Sequence, residues 1–361
     1  MMTKLKYLPF VLSSSKHDLH KARSAMLFQW PFDELRANGP FFQARSRMTF
    51  LLSLCALLAA LAACSDKTAV KPAEDKAAIE QVHVKAPPPA PAPTTMPAQP
   101  TKPSTAQPNV HVLEALAMPG LDRTRTIRLY LPPGYETSRE RYPVLYMHDG
   151  QNLFDAATSY AGEWGVDETL NELARTEGLK LIVVGIDNGE KLRVNELNPW
   201  DNARFGKGEG AQYMHFIVDV VKPYIDTHYR TKPDRANTAI MGSSMGGLIS
   251  HYAIATYPKV FSKAGIFSPA YWLAPAIFDD PAERKFPRDA KLYFYAGGKE
   301  GEKTMPGMSE MERDMNRMVA TLRAAGIPAR NLAVEVNPEA QHNEAAWRAE
   351  FPKAVNWLFA R

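Results

Sequence analysis

Short apolar runs alternate with helical segments throughout residues 109–361, and this alternation limits the fold more than any other feature. The runs "YPVLYMHD", "KLIVVGID" and "ANTAIMG" are apolar over nearly their whole length, which is typical of strands buried on both faces. Longer segments with helical periodicity, such as "AQYMHFIVDVVKPYIDTHY", lie between them. Buried strands separated by helices predict an α/β fold with a mostly parallel central sheet and helices on both faces.

The stretch "RSRMTFLLSLCALLAALAACSDK" precedes that region and has the features of an export signal. Two arginines precede an apolar run over 50–63 that is short for a bilayer span, and small residues follow it. The ending "LAAC" resembles the lipobox of bacterial lipoproteins, in which the cysteine is diacylated and becomes the N-terminus. We expect residues 1–64 to be an N-terminal extension plus signal peptide, with lipidation at Cys64 and a translation start near Met48.

The lipobox resemblance also predicts where the protein resides. Two acyl chains are enough for stable membrane attachment, and Ser65 after the cysteine favours the outer membrane, facing the periplasm or the cell surface. Residues 65–108, with "KAPPPAPAPTTMPAQPTKPSTAQP" at their centre, are rich in proline and alanine and predict a disordered linker. We therefore expect an exported domain, residues 109–361, that is tethered to the membrane through this linker.

Charge and cysteine content exclude several classes of partner. The formal net charge is +4, but residues 1–64 hold eight of the 43 Lys and Arg and three of the 39 Asp and Glu, so the remainder is nearly neutral. A nucleic-acid partner is therefore not expected. Cys55 would be removed with the signal, which leaves no cysteine pair for a disulfide. No His, Asp and Glu spacing indicates a metal ion, and we expect no cofactor.

The stretch "AIMGSSMGGLISHYA" joins a predicted strand to a predicted helix and contains the pattern G-x-S-x-G at 242–246. The pattern alone is weak, but a strand-to-helix turn is where a nucleophile elbow forms. Small neighbours permit a strained turn that lifts Ser244 Oγ above the sheet, at the N-terminus of the following helix. We predict that Ser244 is a catalytic nucleophile; a glycine-rich helix start capped by serine is the structural alternative.

A serine hydroxyl is a weak nucleophile and needs a general base that is supported by an acid. In this kind of site the acid follows the serine along the chain and the histidine comes last. His342, in "NPEAQHNEAAW", follows the last predicted strand in a loop and is the predicted base. The acid should end the strand "KLYFYAGG", which indicates Glu300. Three other carboxylates stay open as the acid: Glu302, Asp279 and Asp280.

The oxyanion that forms during acyl transfer needs two backbone N–H donors. One should come from Met245, directly after the nucleophile, and the other from Gln151 in the loop after "YPVLYMHD". Arg193 is a candidate for holding a substrate carboxylate or phenolate, and a surface pair with Glu196 is its alternative. The predicted substrate-binding residues are Asp149, Asn152, Arg193, Glu196 and Trp272.

Several blocks occur in order along the chain: "YLPPGY", "YPVLYMHDGQNLFD", "EWGVDETL", "VVGIDNGEKLRVNELNPW", "TAIMGSSMGGLISHYA", "GIFSPAYW", "YAGGKEG" and "HNEAAW". Together they resemble the Putative esterase family of α/β-hydrolases, which includes enterochelin-type siderophore esterases, feruloyl esterases, esterase D-like enzymes and mycolyltransferases. The resemblance covers residues 109–361 and implies the α/β-hydrolase fold. It also implies a triad and two oxyanion amides at Ser244, Glu300, His342, Gln151 and Met245. The family often has Asp where Glu300 stands.

The predicted function is hydrolysis of a carboxylic ester through an acyl-enzyme on Ser244, outside the cytoplasm. The expected substrate is a siderophore ester or a carbohydrate or aryl ester. Two alternatives stay open: an acyltransferase in which an alcohol replaces water on the same triad, and a binding lipoprotein that kept the fold without catalysis. Competent residues at all three triad positions favour an enzyme.

Overall fold

The computed structural model describes residues 102–279, 286–301, 303–305 and 308–359. Cys64, the predicted signal peptide and most of the predicted linker lie outside these residues, so the lipid anchor and the linker stay predictions. Within the part of the chain that is described, no helix combines the length and the apolar character needed to cross a membrane.

A mostly parallel sheet forms the centre of the described region. Its strands and those of a small separate pair are β1 Val110–Met118, β2 Arg123–Tyr130, β3 Val144–His148, β4 Ile182–Ile186, β5 Thr238–Ser243, β6 Lys263–Phe267, β7 Lys291–Gly297, β8 Lys303–Met305, β9 Met308–Ser309 and β10 Leu332–Asn337. The central sheet has the order β1-β2-β4-β3-β5-β6-β7-β10, and β8 pairs with β9. Only β1 with β2 and β2 with β4 run antiparallel in the central sheet.

Helices connect the parallel strands, as the alternating sequence pattern predicts. They are α1 Val166–Thr176, α2 Arg193–Glu196, α3 Gly210–His215, α4 Lys222–His228, α5 Met245–Thr256, α6 Glu310–Ala324 and α7 Glu344–Phe359. A π-helical segment, Phe216–Val221, joins α3 to α4, so the predicted helix over this stretch is one continuous run with a local widening.

Each face of the sheet carries its own apolar core, because successive side chains of a strand point to opposite faces. On β3, Tyr146 packs into one core and Leu145 into the other. Leu248 of α5 and Met315 of α6 belong to the core of Tyr146, whereas Phe351 of α7 belongs to the core of Leu145. Helices therefore cover both faces, and the predicted α/β architecture is confirmed.

The folded region begins before the predicted boundary at residue 109. Ser104 Oγ donates a hydrogen bond to Asp155 Oδ2 (2.8 Å), and the Gln107 N–H donates to Asp167 Oδ2 (2.8 Å). Ser104 and Gln107, near the end of the predicted linker, therefore contact the described domain, while the linker itself stays a prediction. Proline-rich composition describes the segment on average and does not reveal which of its polar groups find partners on the folded domain.

Parallel strands place the sequence-predicted catalytic residues at one edge of the sheet. Gln151 follows β3, Ser244 follows β5, Glu300 follows β7 and His342 follows β10. Because these four strands run parallel, their carboxyl ends lie on the same side, where α/β proteins bind ligands.

Candidate active site

Ser244 occupies a strained turn between β5 and α5. Its φ of 57° and ψ of −119° are sparsely populated by residues with a side chain. The Ser244 N–H donates to Phe267 O (2.9 Å), which ties the turn to β6. A Cβ on Gly242 would lie 2.8 Å from the Gly246 backbone, and a Cβ on Gly247 would lie 2.7 Å from Phe267 O. The turn therefore has the geometry of a nucleophile elbow, and glycine is required where the backbones meet.

Glu300 is fully buried beyond the end of β7, directly behind His342. Its Oε2 lies 3.2 Å from His342 Nδ1. Its Oε1 accepts hydrogen bonds from Ser268 Oγ (2.7 Å) and from the Gly297 N–H (2.9 Å). A carboxylate in this position favours the imidazole tautomer with a proton on Nδ1, which leaves Nε2 as the proton acceptor.

Two side chains that the sequence analysis did not single out hold this pair in place. Ser268, at φ 43°, accepts a hydrogen bond from Trp347 Nε1 (2.9 Å) while it donates to Glu300. The Trp347 ring also lies edge-on to the His342 ring, with centroids 5.0 Å apart. Both residues belong to the blocks "GIFSPAYW" and "HNEAAW". The blocks were recognisable, but neither residue type indicates such a role by itself.

The other carboxylates considered as the acid do not take this position in the described residues. Asp279 is exposed and follows a short 3-10 helix, Pro275–Phe278. Asp280 and Glu302 lie outside the described residues. The described contacts of His342 thus single out Glu300 as its carboxylate partner.

Ser244 and His342 line one cavity of about 1460 Å³. They do not hydrogen-bond to each other in this structure, and catalytic hydrogen bonds commonly tighten only when substrate binds. A second cavity, of about 1390 Å³, has Lys180, Lys232 and Trp357 in its wall and no serine, cysteine or histidine among its described lining residues. The two cavities are similar in volume, so volume does not identify the candidate site. Of the two, the first alone has both a serine hydroxyl and a histidine imidazole in its wall.

The two backbone amides predicted for the oxyanion belong to the start of α5 and to the turn after β3. Met245 is the first residue of α5, so its N–H is one of the donors that a helix leaves without an intrahelical acceptor. Gln151 belongs to a 3-10 turn, Gly150–Asn152, and lines the cavity. Its side-chain Oε1 accepts a hydrogen bond from the Asn188 N–H (3.0 Å), which fixes the turn against the chain after β4.

Asp149 precedes this turn and forms a two-bond ion pair with Arg193. Arg193 Nε lies 2.6 Å from Oδ1, Arg193 Nη2 lies 2.8 Å from Oδ2, and Asn188 Nδ2 donates to Oδ1 (2.6 Å). Burial by itself raises the pKa of the Asp149 carboxyl. The charge of Arg193, its hydrogen bonds and the hydrogen bond from Asn188 outweigh burial, so the pKa lies below its ordinary value. Arg193 is therefore engaged by Asp149 within the cavity wall, not by Glu196.

Glu196 and Trp272, both predicted to bind substrate, lie outside the described wall of the cavity, which gives those predicted roles no support. Glu196 is buried and accepts hydrogen bonds from Arg125 Nη2 (2.6 Å) and Arg123 Nη1 (2.8 Å), away from the cavity wall. Trp272 is 41% exposed and also lies outside that wall. Asn152 does line the cavity, and its Oδ1 accepts from the Tyr160 N–H (3.1 Å). Sequence proximity to a motif did not reveal which way each side chain points.

Two further titratable groups lie beside the site. His148 is buried at the end of β3 with its Nδ1 2.8 Å from Tyr213 Oη, and burial lowers its pKa to about 4. His148 is consequently neutral at physiological pH. Glu344, the first residue of α7, lines the cavity, and burial raises the pKa of its carboxyl.

Known proteins share this sequence pattern. Residues 119–358 match the model of the family described as Putative esterase, which is well over half of the chain. The uncharacterized protein YbbA of Bacillus subtilis is 27% identical over 245 residues, which cover 66% of this chain and 93% of YbbA. The endo-1,4-beta-xylanase/feruloyl esterase of Xylanibacter ruminicola is 27% identical over 241 residues, which cover 66% of this chain but only 30% of that longer protein.

Solved structures share the fold. The enterobactin esterase of Shigella flexneri, crystallised in the presence of enterobactin, superposes with a TM-score of 0.57 at 17% identity, covering 71% of this chain and 60% of that one. At this identity the likeness concerns the fold alone. The extent of the family match decides the assignment: the chain belongs to the Putative esterase family of α/β-hydrolases.

Proposed function

We propose that this protein is a serine hydrolase that cleaves a carboxylic ester through an acyl-enzyme on Ser244. The observation that carries the proposal is the buried Glu300 carboxylate bonded to His342 Nδ1, with His342 and the strained Ser244 turn opening onto one cavity. Membership of an esterase family supports the same reaction class.

In the proposed reaction, His342 Nε2 takes the Ser244 hydroxyl proton as Oγ attacks the ester carbonyl. The resulting imidazolium keeps its Nδ1–H toward Glu300, whose negative charge stabilises it. His342 then gives the proton to the leaving alkoxide, so the alcohol departs and the acyl group stays on Ser244. Water, activated by the same imidazole, releases the acid and restores the serine.

The Met245 and Gln151 N–H groups are proposed to hold the negative oxygen of the tetrahedral intermediate. Removing one such donor typically costs about 3 kcal/mol of transition-state stabilisation. The Gln151 amide belongs to a turn that the Asn188 N–H holds through the Gln151 side chain. Asn188 Nδ2 donates to Asp149, which in turn pairs with Arg193. In this part of the cavity wall the proposed catalytic group is the Gln151 backbone N–H. The charged side chains of Asp149 and Arg193 are proposed to position it.

The cavity wall combines aromatic ring surface with arginines that are already paired. Its arginines are Arg125, Arg128 and Arg193, and each pairs with a carboxylate of the protein. A guanidinium neutralised in this way gives little attraction to a substrate anion. Trp164, Trp347 and the exposed Tyr160 supply apolar ring surface. We therefore propose aryl esters, of the feruloyl or catecholate kind, as the substrate class.

Labelling with a fluorophosphonate probe tests the catalytic serine. We expect rapid labelling of the wild-type protein and complete loss in Ser244→Ala. Ser243→Ala is the matched control, because Ser243 is the adjacent serine in the same cavity wall and should leave labelling intact. An unlabelled wild-type protein, or label that persists in Ser244→Ala, would falsify the proposal.

A panel of p-nitrophenyl esters of increasing chain length, beside feruloyl and catecholate esters, tests the substrate class. We expect the highest kcat/KM for the aryl acyl groups. A preference for long aliphatic chains would contradict that part of the proposal. Product analysis with an added alcohol separates hydrolysis from acyl transfer, since transfer would yield the new ester in place of the free acid.

We also propose that the protein is exported and anchored by lipid on Cys64, at the outer membrane. Support comes from the sequence alone: the "LAAC" motif after an apolar run, Ser65, and the proline-rich segment that follows. Cys64→Ser should abolish incorporation of labelled palmitate and move the protein from the detergent phase to the aqueous phase. A wild-type protein that takes up no palmitate would refute the anchor.

A further inference from the structure

Three carboxylates meet where the chain enters α1. Glu163 precedes the helix, and Asp167 and Glu168 occupy its first turn. One carboxylate oxygen from each residue lies within 4.8 Å of one from each of the others. The sequence analysis expected no metal site, because these residues lack a recognised spacing. The fold nevertheless brings three oxygen ligands together.

Two carboxylate oxygens of these residues are buried and have no hydrogen-bond partner in the described residues. Asp167 is fully buried; its Oδ2 accepts from the Gln107 N–H, but its Oδ1 has no donor. Glu168 Oε2 is also buried and without a hydrogen bond. A buried carboxylate oxygen normally has a donor or a cation, because losing water without a replacement is costly.

Within the described residues, the positive charge beside the cluster is too small to balance it. Arg348 of α7 is the cation paired with it, 3.7 Å from Glu163 Oε2 and 3.9 Å from Glu168 Oε2. Both distances exceed those of a hydrogen bond, and the Arg348 side chain is 44% exposed. Thr105 Oγ1 donates to Glu163 Oε1 (3.1 Å), which is a neutral contact. One half-exposed guanidinium therefore faces three carboxylates.

We propose that Glu163, Asp167 and Glu168 form a calcium-binding site, with Asp167 Oδ1 and Glu168 Oε2 as direct ligands. All the side-chain ligands are carboxylate oxygens, which suit a hard cation, and no histidine or cysteine takes part. Ca²⁺ binds oxygen at about 2.3–2.6 Å in flexible geometry, so it bridges oxygens up to about 5 Å apart. Mg²⁺ demands a tighter octahedron and fits this spread less well.

The site would brace one wall of the catalytic cavity. Residue Trp164, between Glu163 and α1, lines that cavity and packs on Trp347 with ring centroids 5.8 Å apart. Trp347 contacts His342. The same cluster holds the segment before β1 through Thr105 and Gln107. Calcium would therefore join the start of the folded domain to the loop that supports the catalytic histidine.

The test uses the full chain after exhaustive treatment with EGTA. Titration with CaCl₂ should raise the melting temperature by about 5 °C at saturation, and MgCl₂ should raise it less. Tb³⁺, a calcium substitute, should show emission sensitised by tryptophan, since Trp164 adjoins the site, and added Ca²⁺ should quench that emission. These readouts do not depend on catalysis, so they fail or succeed separately from the proposed esterase function.

Asp167→Asn and Glu168→Gln should each abolish both responses. Glu172→Gln is the matched control, because Glu172 is an exposed acid of the same helix, paired with Arg175, and should keep both responses. Responses that persist in Asp167→Asn and Glu168→Gln would overturn the site. A wild-type protein whose melting temperature and Tb³⁺ emission do not respond to Ca²⁺ would also overturn it. In that case a thermally stabilised Asp167→Asn would indicate that the Asp167 and Glu168 carboxyls share a proton instead.

Discussion

Two buried carboxylates, Glu300 behind His342 and Asp149 in the cavity wall, differ in what surrounds them. Glu300 accepts hydrogen bonds from the uncharged Ser268 hydroxyl and Gly297 amide and keeps its second oxygen for His342. Asp149 is held by the Arg193 guanidinium through both oxygens. One negative charge is thus oriented by neutral groups, and the other is cancelled by a cation.

The difference indicates what each carboxylate can do. The charge on Glu300 stays available to stabilise an imidazolium, whereas the charge on Asp149 is neutralised by the Arg193 guanidinium. Breaking the Glu300 contact should therefore reduce the rate and spare the fold. Breaking the Asp149 pair should destabilise the fold, because it leaves a largely buried guanidinium without a counter-charge.

The largest effect is expected from Glu300→Gln. The Ser268 and Gly297 donors would hold the new amide oxygen, which turns the NH₂ group toward His342 Nδ1 and imposes the wrong imidazole tautomer. We expect kcat to fall by about 10³- to 10⁴-fold with a small change in KM. Steady-state kinetics on a p-nitrophenyl ester measures this, with the melting temperature as the check on folding.

Glu302→Gln is the control for that change, since Glu302 is the neighbouring acid that the sequence left as a rival. Its kcat should stay within about twofold of the wild-type value. Equal loss in both variants, or loss in Glu302→Gln alone, would remove Glu300 from the proposed triad.

Asp149→Asn should have the next largest effect, and mainly on stability. Removing one partner of a buried ion pair costs about 3–5 kcal/mol, so the melting temperature should fall by roughly 10 °C. The double variant Asp149→Asn with Arg193→Met removes both charges and should recover most of the loss. Thermal unfolding followed by circular dichroism gives the comparison; a double variant no more stable than the single one would show that the ion pair is not the cause.

The loss of folding stability caused by Asp149→Asn should also depend on pH. The folded-state pKa of Asp149 lies below its ordinary value of 3.8, so the unfolded chain takes up the proton first as the pH falls. The contribution of the pair is complete above about pH 4 and is lost as the pH drops through the lower folded-state pKa. The gap in stability between wild type and Asp149→Asn should therefore be constant near neutrality and shrink below pH 4.

The smallest effect concerns the stability contribution of His148. Burial lowers the pKa of His148 to about 4 from 6.5, so the unfolded chain binds a proton in this interval and the folded chain does not. His148 should accordingly weaken the wild-type fold by up to about 3 kcal/mol as the pH falls from 6.5 to 4. His148→Asn keeps a polar atom near Tyr213 and should reduce the dependence of unfolding free energy on pH between 6.5 and 4. Denaturant titrations over this pH range measure it, and an unchanged slope would show that His148 is not the group responsible.

Local sequence patterns were enough to predict much of the fold and the turn that carries Ser244. Continuous apolar runs predicted the parallel strands, and the glycines around Ser244 predicted a strained turn, because both depend on neighbouring residues. His342 and Glu300 were reached through chain order and strand ends. Ser268 and Trp347 were not, since a serine or a tryptophan in a loop has no local pattern that states its partner.

The sequence by itself determined the alternation of strands and helices, the position of the glycine-bounded turn and the near neutrality of the folded part. Only the tertiary structure decided that Arg193 pairs with Asp149, that Glu196 turns away from the cavity and that the Gln107 N–H reaches Asp167 beside Glu163 and Glu168. The physical reason is that strand and turn preferences act over a few residues. Charge pairing and burial depend on which distant segments the packed sheet brings together.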